Sequence, residues 1–111
     1  MIVNGEEVEI DYPAYMSGKY SLMHVRAVVE QFYSGYDADW DGDVFTMMFA
    51  GTEYVFTVGS EEYTIDGETY TLGAEVECNG DELFIPLRPL ANILDVTPSW
   101  DNSTMTATFK Q

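Results

Sequence analysis

Apolar residues recur along this chain in two rhythms. Leu87, Leu90, Ala91 and Leu94 fall at i, i+3, i+4 and i+7, one face of a helix. Just before them runs Leu83-Phe84-Ile85-Pro86, a short apolar stretch that meets a proline. Proline at the first helical position needs no N–H partner and has its φ already set. The segment therefore reads as a buried strand end turning directly into a helix. Counting back 62 residues, Val25, Val28, Val29 and Phe32 have the same spacing, and Arg26 stands where Arg88 stands. Elsewhere the period is two. Phe45, Met47 and Phe49 alternate with Val44, Thr46 and Met48, and Tyr54, Phe56 and Val58 alternate with Val55 and Thr57. Met105, Ala107 and Phe109 alternate with Thr104, Thr106 and Thr108. Each run predicts a half-buried strand.

The punctuation between these runs also comes in pairs. Ile2-Val3, Asn4-Gly5, Val8 and Ile10 predict a hairpin with a type I′ turn. Tyr63, Ile65, Asp66-Gly67, Tyr70 and Leu72 repeat it. Irregular passages follow, Asp11 to Lys19 and Gly73 to Glu82, with Gly18 and Gly80 at the same offset of 62. Helices are predicted over 24–33 and 86–95. His24 replaces the proline in the first copy, so that start should be less sharp. The first helix should end near Ser34-Gly35, where glycine can supply a left-handed cap. The second should end before Thr97-Pro98, since proline cannot continue a helix. Trp40-Asp41 and Trp100-Asp101 follow, now offset by 60, and these are the only two tryptophans.

The expected fold is α+β: an antiparallel twisted sheet packed on two short helices, with hairpin, loop, helix and hairpin occurring twice. One domain of 111 residues would consist of units over about 1–51 and 52–111. Helices of about ten residues do not stand alone. Each must lay its stripe on a sheet, at about 1.5–3 kcal/mol per large side chain fully buried.

Composition narrows the partners. Hydrophobic residues make up 46% and aromatics 14%, which argues against disorder. Twenty acids against 4 bases give a formal charge of -16, which repels nucleic acid and anionic lipid. No apolar run approaches the ~20 residues of a membrane span, and no signal peptide is legible after Met1. The lone Cys78, matched by Met16, allows no internal disulfide and reads as a small buried hydrophobe.

Three sets of side chains are candidates for chemistry. Arg26 and Arg88 oppose a helix dipole, which costs ~0.3–1 kcal/mol unless compensated. They are expected to clamp the preceding loop, and the competing reading is an anion site. Asp37, Asp39, Asp41 and Asp43 lie in D-x-D-x-D-G spacing, like the start of a calcium loop. The twelfth position is Met48 rather than Glu, and a solvated acidic turn is the plainer expectation. Most aromatics, including Trp40, Trp100, Phe32, Phe45, Phe49 and Phe109, are expected to face the core. Tyr12, Tyr15 and Tyr20 in the first loop are the candidates for a ligand surface. With one histidine there is no Ser-His-Asp set and no His/Cys metal cluster, so an enzyme is not expected.

The hairpins, the glycine before each helix, Ile85-Pro86-Leu87-Arg88, Trp100-Asp101 and the threonine-rich strand together resemble the copper amine oxidase N-terminal domain-like family. These are stalk-type modules of secreted and surface proteins of Gram-positive bacteria. The first copy departs from the pattern at His24. The resemblance implies a non-catalytic appendage with no cofactor, because the family's copper and quinone chemistry belongs to another domain. It implies an extracellular or cell-surface spacer or interaction module. The alternative is a module that binds cell-wall glycan or another ligand through the loops before the helices. A cell-wall polymer, a protein partner or a second copy joined through exposed edge strands are the partners to consider.

Overall fold

The computed structural model describes residues 1–111. The chain forms β1 (Ile2–Val3), β2 (Glu6–Glu7), β3 (Tyr15–Ser17), β4 (Tyr20–His24), α1 (Val25–Val29), β5 (Asp37–Trp40) and β6 (Val44–Phe49). It continues with β7 (Thr52–Thr57), β8 (Glu62–Ile65), β9 (Glu68–Thr71), β10 (Glu77–Asn79), β11 (Glu82–Pro86), α2 (Leu87–Leu94), β12 (Thr97–Asp101) and β13 (Thr106–Lys110). The fold is α+β, mostly antiparallel, with two short helices.

Three sheets replace the single sheet expected. Their orders are β12-β13-β1-β2, β10-β11-β4-β3 and β5-β6-β7-β8-β9. One pair is parallel: β1 lies beside β13, with Ile2 opposite Thr108 and Val3 opposite Phe109. In the middle sheet β4 and β11 run antiparallel, with Met23 opposite Ile85, Leu22 opposite Pro86 and His24 opposite Phe84. Each of these strands leads straight into a helix, so the two helices start beside one central strand pair.

The turns have a local cause. Asn4 and Gly5 have φ of 49° and 85°, and Asp66 and Gly67 have 48° and 86°. Two successive positive φ values define the type I′ turn, and these residue pairs tolerate them.

The core is built as the periodicity predicts along most of the chain. Phe45, Met47 and Phe49 are buried on β6, and Tyr54 and Phe56 on β7. Leu87, Leu90, Ala91 and Leu94 bury one face of α2. Phe56 stacks on Tyr63 at 5.5 Å between ring centroids. Helix α2 ends at Asp95, which is left-handed with φ 56°. Aspartate tolerates that conformation better than most residues.

Several local expectations fail. Helix α1 spans only Val25–Val29, and its C-cap is Glu30 in the right-handed region, not Gly35. Beyond it Gln31 and Phe32 donate to carbonyls three residues back, tightening the chain. That turn sends Tyr33 onto Phe49 at 4.4 Å and Phe32 toward Phe109 at 6.3 Å. Strand β2 stops at Glu7, so Ile10 is not in a strand. Met105 is 42% exposed with φ 53°, in the turn rather than on the inner face of β13. Trp40 and Trp100 pack on the core from its rim and are only half-buried. Met16 is exposed on an edge strand, and Cys78 is half-buried with its thiol donating to the Gly80 carbonyl.

Candidate functional site

Two clefts flank the starts of the helices. The first, about 290 Å3, lies beside α1 and takes His24, Arg26, Ala27 and Glu82 together with the 9–12 segment. His24 is buried at the end of β4 because its neighbours on that sheet face, Leu22 and Phe84, are buried too. Its Nδ1 accepts from the Ala27 N–H at 3.1 Å, capping α1. That bond leaves the proton on Nε2, which lies 2.5 Å from Glu82 Oε2 and donates to it. Tyr12 stacks on the imidazole at 4.4 Å. Both ring nitrogens are thus engaged, and neither is free to take a proton from a substrate. His24 therefore starts its helix with a side-chain cap, whereas Pro86 makes none, which corrects the expectation of a looser first start.

A test follows from this geometry. His24→Ala is expected to cost about 0.5–2 kcal/mol, the usual worth of a cap. His24→Asn, which keeps a cap acceptor, should recover part of the loss in urea denaturation.

Arg26 reaches outward from the same cleft. Its Nε donates to the Tyr36 hydroxyl at 3.1 Å, and that hydroxyl donates to Glu30 Oε1 at 2.7 Å. The hydrogen bond to Tyr36 raises the guanidinium's pKa further, against the effect of burial.

The second cleft, about 200 Å3, lies beside α2. The β3–β4 turn supplies Lys19, Tyr20 and Ser21; the start of α2 supplies Pro86 and Leu87 to Pro89; β12 supplies Pro98, Ser99 and Trp100. Lys19 lies over the Tyr20 ring, 5.5 Å from its centroid. Four carboxylates (Glu9, Asp11, Glu30 and Glu82) line the first cleft, and none lines the second. No lysine or arginine of the chain lies in salt-bridge contact with a carboxylate, so Lys19 and Arg88 stand without a carboxylate partner.

The three candidate tyrosines share one region but not one surface. Tyr12 is 40% exposed, while Tyr15 and Tyr20 are half-buried. The Tyr15 hydroxyl donates to Glu77 Oε1 at 2.7 Å, and its ring meets Phe84 edge-on at 5.1 Å. Burial, then that hydrogen bond, raises the Tyr15 pKa. Tyr12 points to the first cleft and Tyr20 to the second.

The four aspartates are not drawn together. Asp37 and Asp39 lie exposed along β5, and Asp41 accepts from the N–H groups of Asp43 and Val44 at 2.9 and 2.7 Å. No group of three or more His, Cys, Asp or Glu side chains stands close enough to hold an ion. Asp101 serves its own turn, accepting from the Ser103 N–H and hydroxyl at 2.9 and 2.7 Å. The Val44 and Asp43 N–H groups hold Asp41 below its ordinary pKa, and Ser103 does the same for Asp101. A carboxylate with a depressed folded pKa stabilises above its unfolded pKa and loses that contribution as pH falls through the folded one. Stability should therefore decline below about pH 4. The double substitution Asp41→Asn with Asp101→Asn should flatten that acid limb in pH-dependent thermal melts.

A family model described as the copper amine oxidase N-terminal domain matches residues 2–109. The chain belongs to that family. The match runs through both clefts and all but the last residue of β13. No curated protein and no solved structure matches the chain significantly. In the oxidases that give the copper amine oxidase N-terminal domain family its name, this domain is not the catalytic one. Sequence reasoning named Arg88 and Tyr20 singly but not the cleft that joins them, because its three segments are brought together only by the fold. A local signal is Arg88 set between Pro86 and Pro89.

Proposed function

We propose that this chain is a non-catalytic spacer module within a larger secreted or cell-surface protein of a Gram-positive bacterium, built from two copies of one unit. The observation that carries the spacer role is the parallel pairing of β1 with β13. Tension entering through β1 and leaving through β13 pulls adjacent parallel strands in opposite directions. Their hydrogen bonds are then loaded together, in shear, instead of one at a time. The contact is reinforced beyond the ladder. The Asn4 N–H donates to the Phe109 carbonyl at 2.9 Å, and the Asn4 amide exchanges two hydrogen bonds with Gln111 at 3.0 and 2.8 Å.

The register of β4 against β11 supports the duplication. Pairing 22 with 86, 23 with 85 and 24 with 84 is what a twofold axis between Met23 and Ile85 would give at an offset of 62. The tryptophans agree with it. Trp40 Nε1 donates to Asp81 at 3.3 Å, and Trp100 shares a cleft with Lys19, the residue 62 before Asp81.

Single-molecule stretching of a tandem array tests the spacer role. The module should give a resolved unfolding peak, and Asn4→Gly, which keeps the turn but deletes both amide bonds, should lower its force. Unfolding without a resolved peak, or a force indifferent to Asn4→Gly, would contradict it.

A second reading has its own observation. The cleft holding Lys19, Arg88 and Trp100 supports a ligand-binding role close to the helix start, with a cell-wall glycan as the ligand class.

A further inference from the structure

We propose that the second cleft binds a sugar ring that carries a carboxylate, as a residue of an acidic glycan; this rests on the ligand-binding reading and names its ligand. Two of the chain's 4 bases, Lys19 and Arg88, meet in this cleft. No carboxylate lines it, and neither base is in ion-pair contact. The rest of the surface is dominated by 20 acids. At physiological salt the fields of more distant carboxylates decay over about 8 Å. The Arg88 guanidinium is exposed, and its planar fork matches a carboxylate.

The cleft also has features that a bare anion would not use. Trp100 is half-buried at its wall and offers a flat apolar face. Tyr20 is less available for stacking. Lys19 covers its ring at 5.5 Å, and a Cβ built on Gly73 would meet that ring at 3.2 Å. The Ser21 and Ser99 hydroxyls line the same space, and both can donate to and accept from sugar hydroxyls. At about 200 Å3 the cleft is smaller than the ~300–1,000 Å3 typical of drug-sized ligand sites, which suits a single ring.

The test is an NMR titration of the whole 15N-labelled chain with trigalacturonate, read at the Trp100 indole N–H. The Trp40 indole serves as the internal control. Neutral galactotriose and sodium acetate are titrated in parallel. Trigalacturonate should give a saturable shift at Trp100, with both controls at least about tenfold weaker. Lys19→Gln combined with Arg88→Gln, both exposed positions, should weaken it at least about tenfold while the spectrum keeps its dispersion. Equal affinity for galactotriose would overturn the carboxylate requirement and leave glycan binding standing. Equal affinity for acetate, or no effect of the double substitution, would overturn the acidic-sugar site. No response at Trp100 to any of the three would overturn the proposal and the ligand-binding reading together.

Discussion

Phe109→Ala is expected to lower the stability of the chain by about 3–5 kcal/mol, the usual cost of deleting a buried phenylalanine. The side chain is fully buried on β13, the strand that carries both β12 and β1. Pro98 lies opposite it on one side and Val3 on the other. The Phe32 ring approaches edge-on at 6.3 Å. Removing the ring empties a space bordered by three strands and the turn after α1, and strands fixed by their ladders collapse poorly into such a space. For a domain with a net stability of about 5–15 kcal/mol, the loss is a large fraction of the whole. Urea denaturation should show a lower midpoint with an unchanged slope. A loss below about 1 kcal/mol, the level of an ordinary surface change, would mean that Phe109 is not packed as described.

Ile85→Ala should cost about 2–5 kcal/mol, and Met23→Ala a similar amount. Both side chains are fully buried, and they stand opposite each other where β4 meets β11. Residues that share a contact do not respond independently. The double substitution should therefore depart from the sum of the single losses by at least about 0.5 kcal/mol. Strict additivity in equilibrium denaturation would place the two residues apart and remove the central strand pair.

These two sites also mark what could and could not be read from the sequence. Burial selects apolar residues at fixed periods, so the inner faces of β6, β7 and α2 were legible from Phe45, Met47, Phe49, Phe56 and Leu90. The Asn4-Gly5 and Asp66-Gly67 turns were legible because few residue pairs accept two positive φ values. Partnership between distant segments leaves no such trace. Nothing local in Ile2-Val3 announces a parallel neighbour at Thr108-Phe109. Helix α1 is shorter than the helical spacing of Phe32 predicts, because a tightened turn carries that ring to Phe109. In the sequence His24 shows only as a missing proline, since histidine is not among the preferred capping residues. Only the structure pairs its two nitrogens with Ala27 and Glu82. The tyrosine candidates separated for the same reason: Tyr12 faces one cleft and Tyr20 the other.

The two halves share their sheets. The β1–β2 hairpin completes a sheet with β12 and β13, and β8 and β9 extend the sheet begun by β5 and β6. Cutting the chain between Ala50 and Gly51, whose φ values of 52° and 77° place them at a hairpin tip, tests this interlocking directly. Peptides 1–50 and 51–111 should each give collapsed amide spectra alone and, mixed at equal concentration, the dispersed spectrum of the intact chain. A dispersed spectrum and a cooperative melt from either peptide by itself would contradict the account.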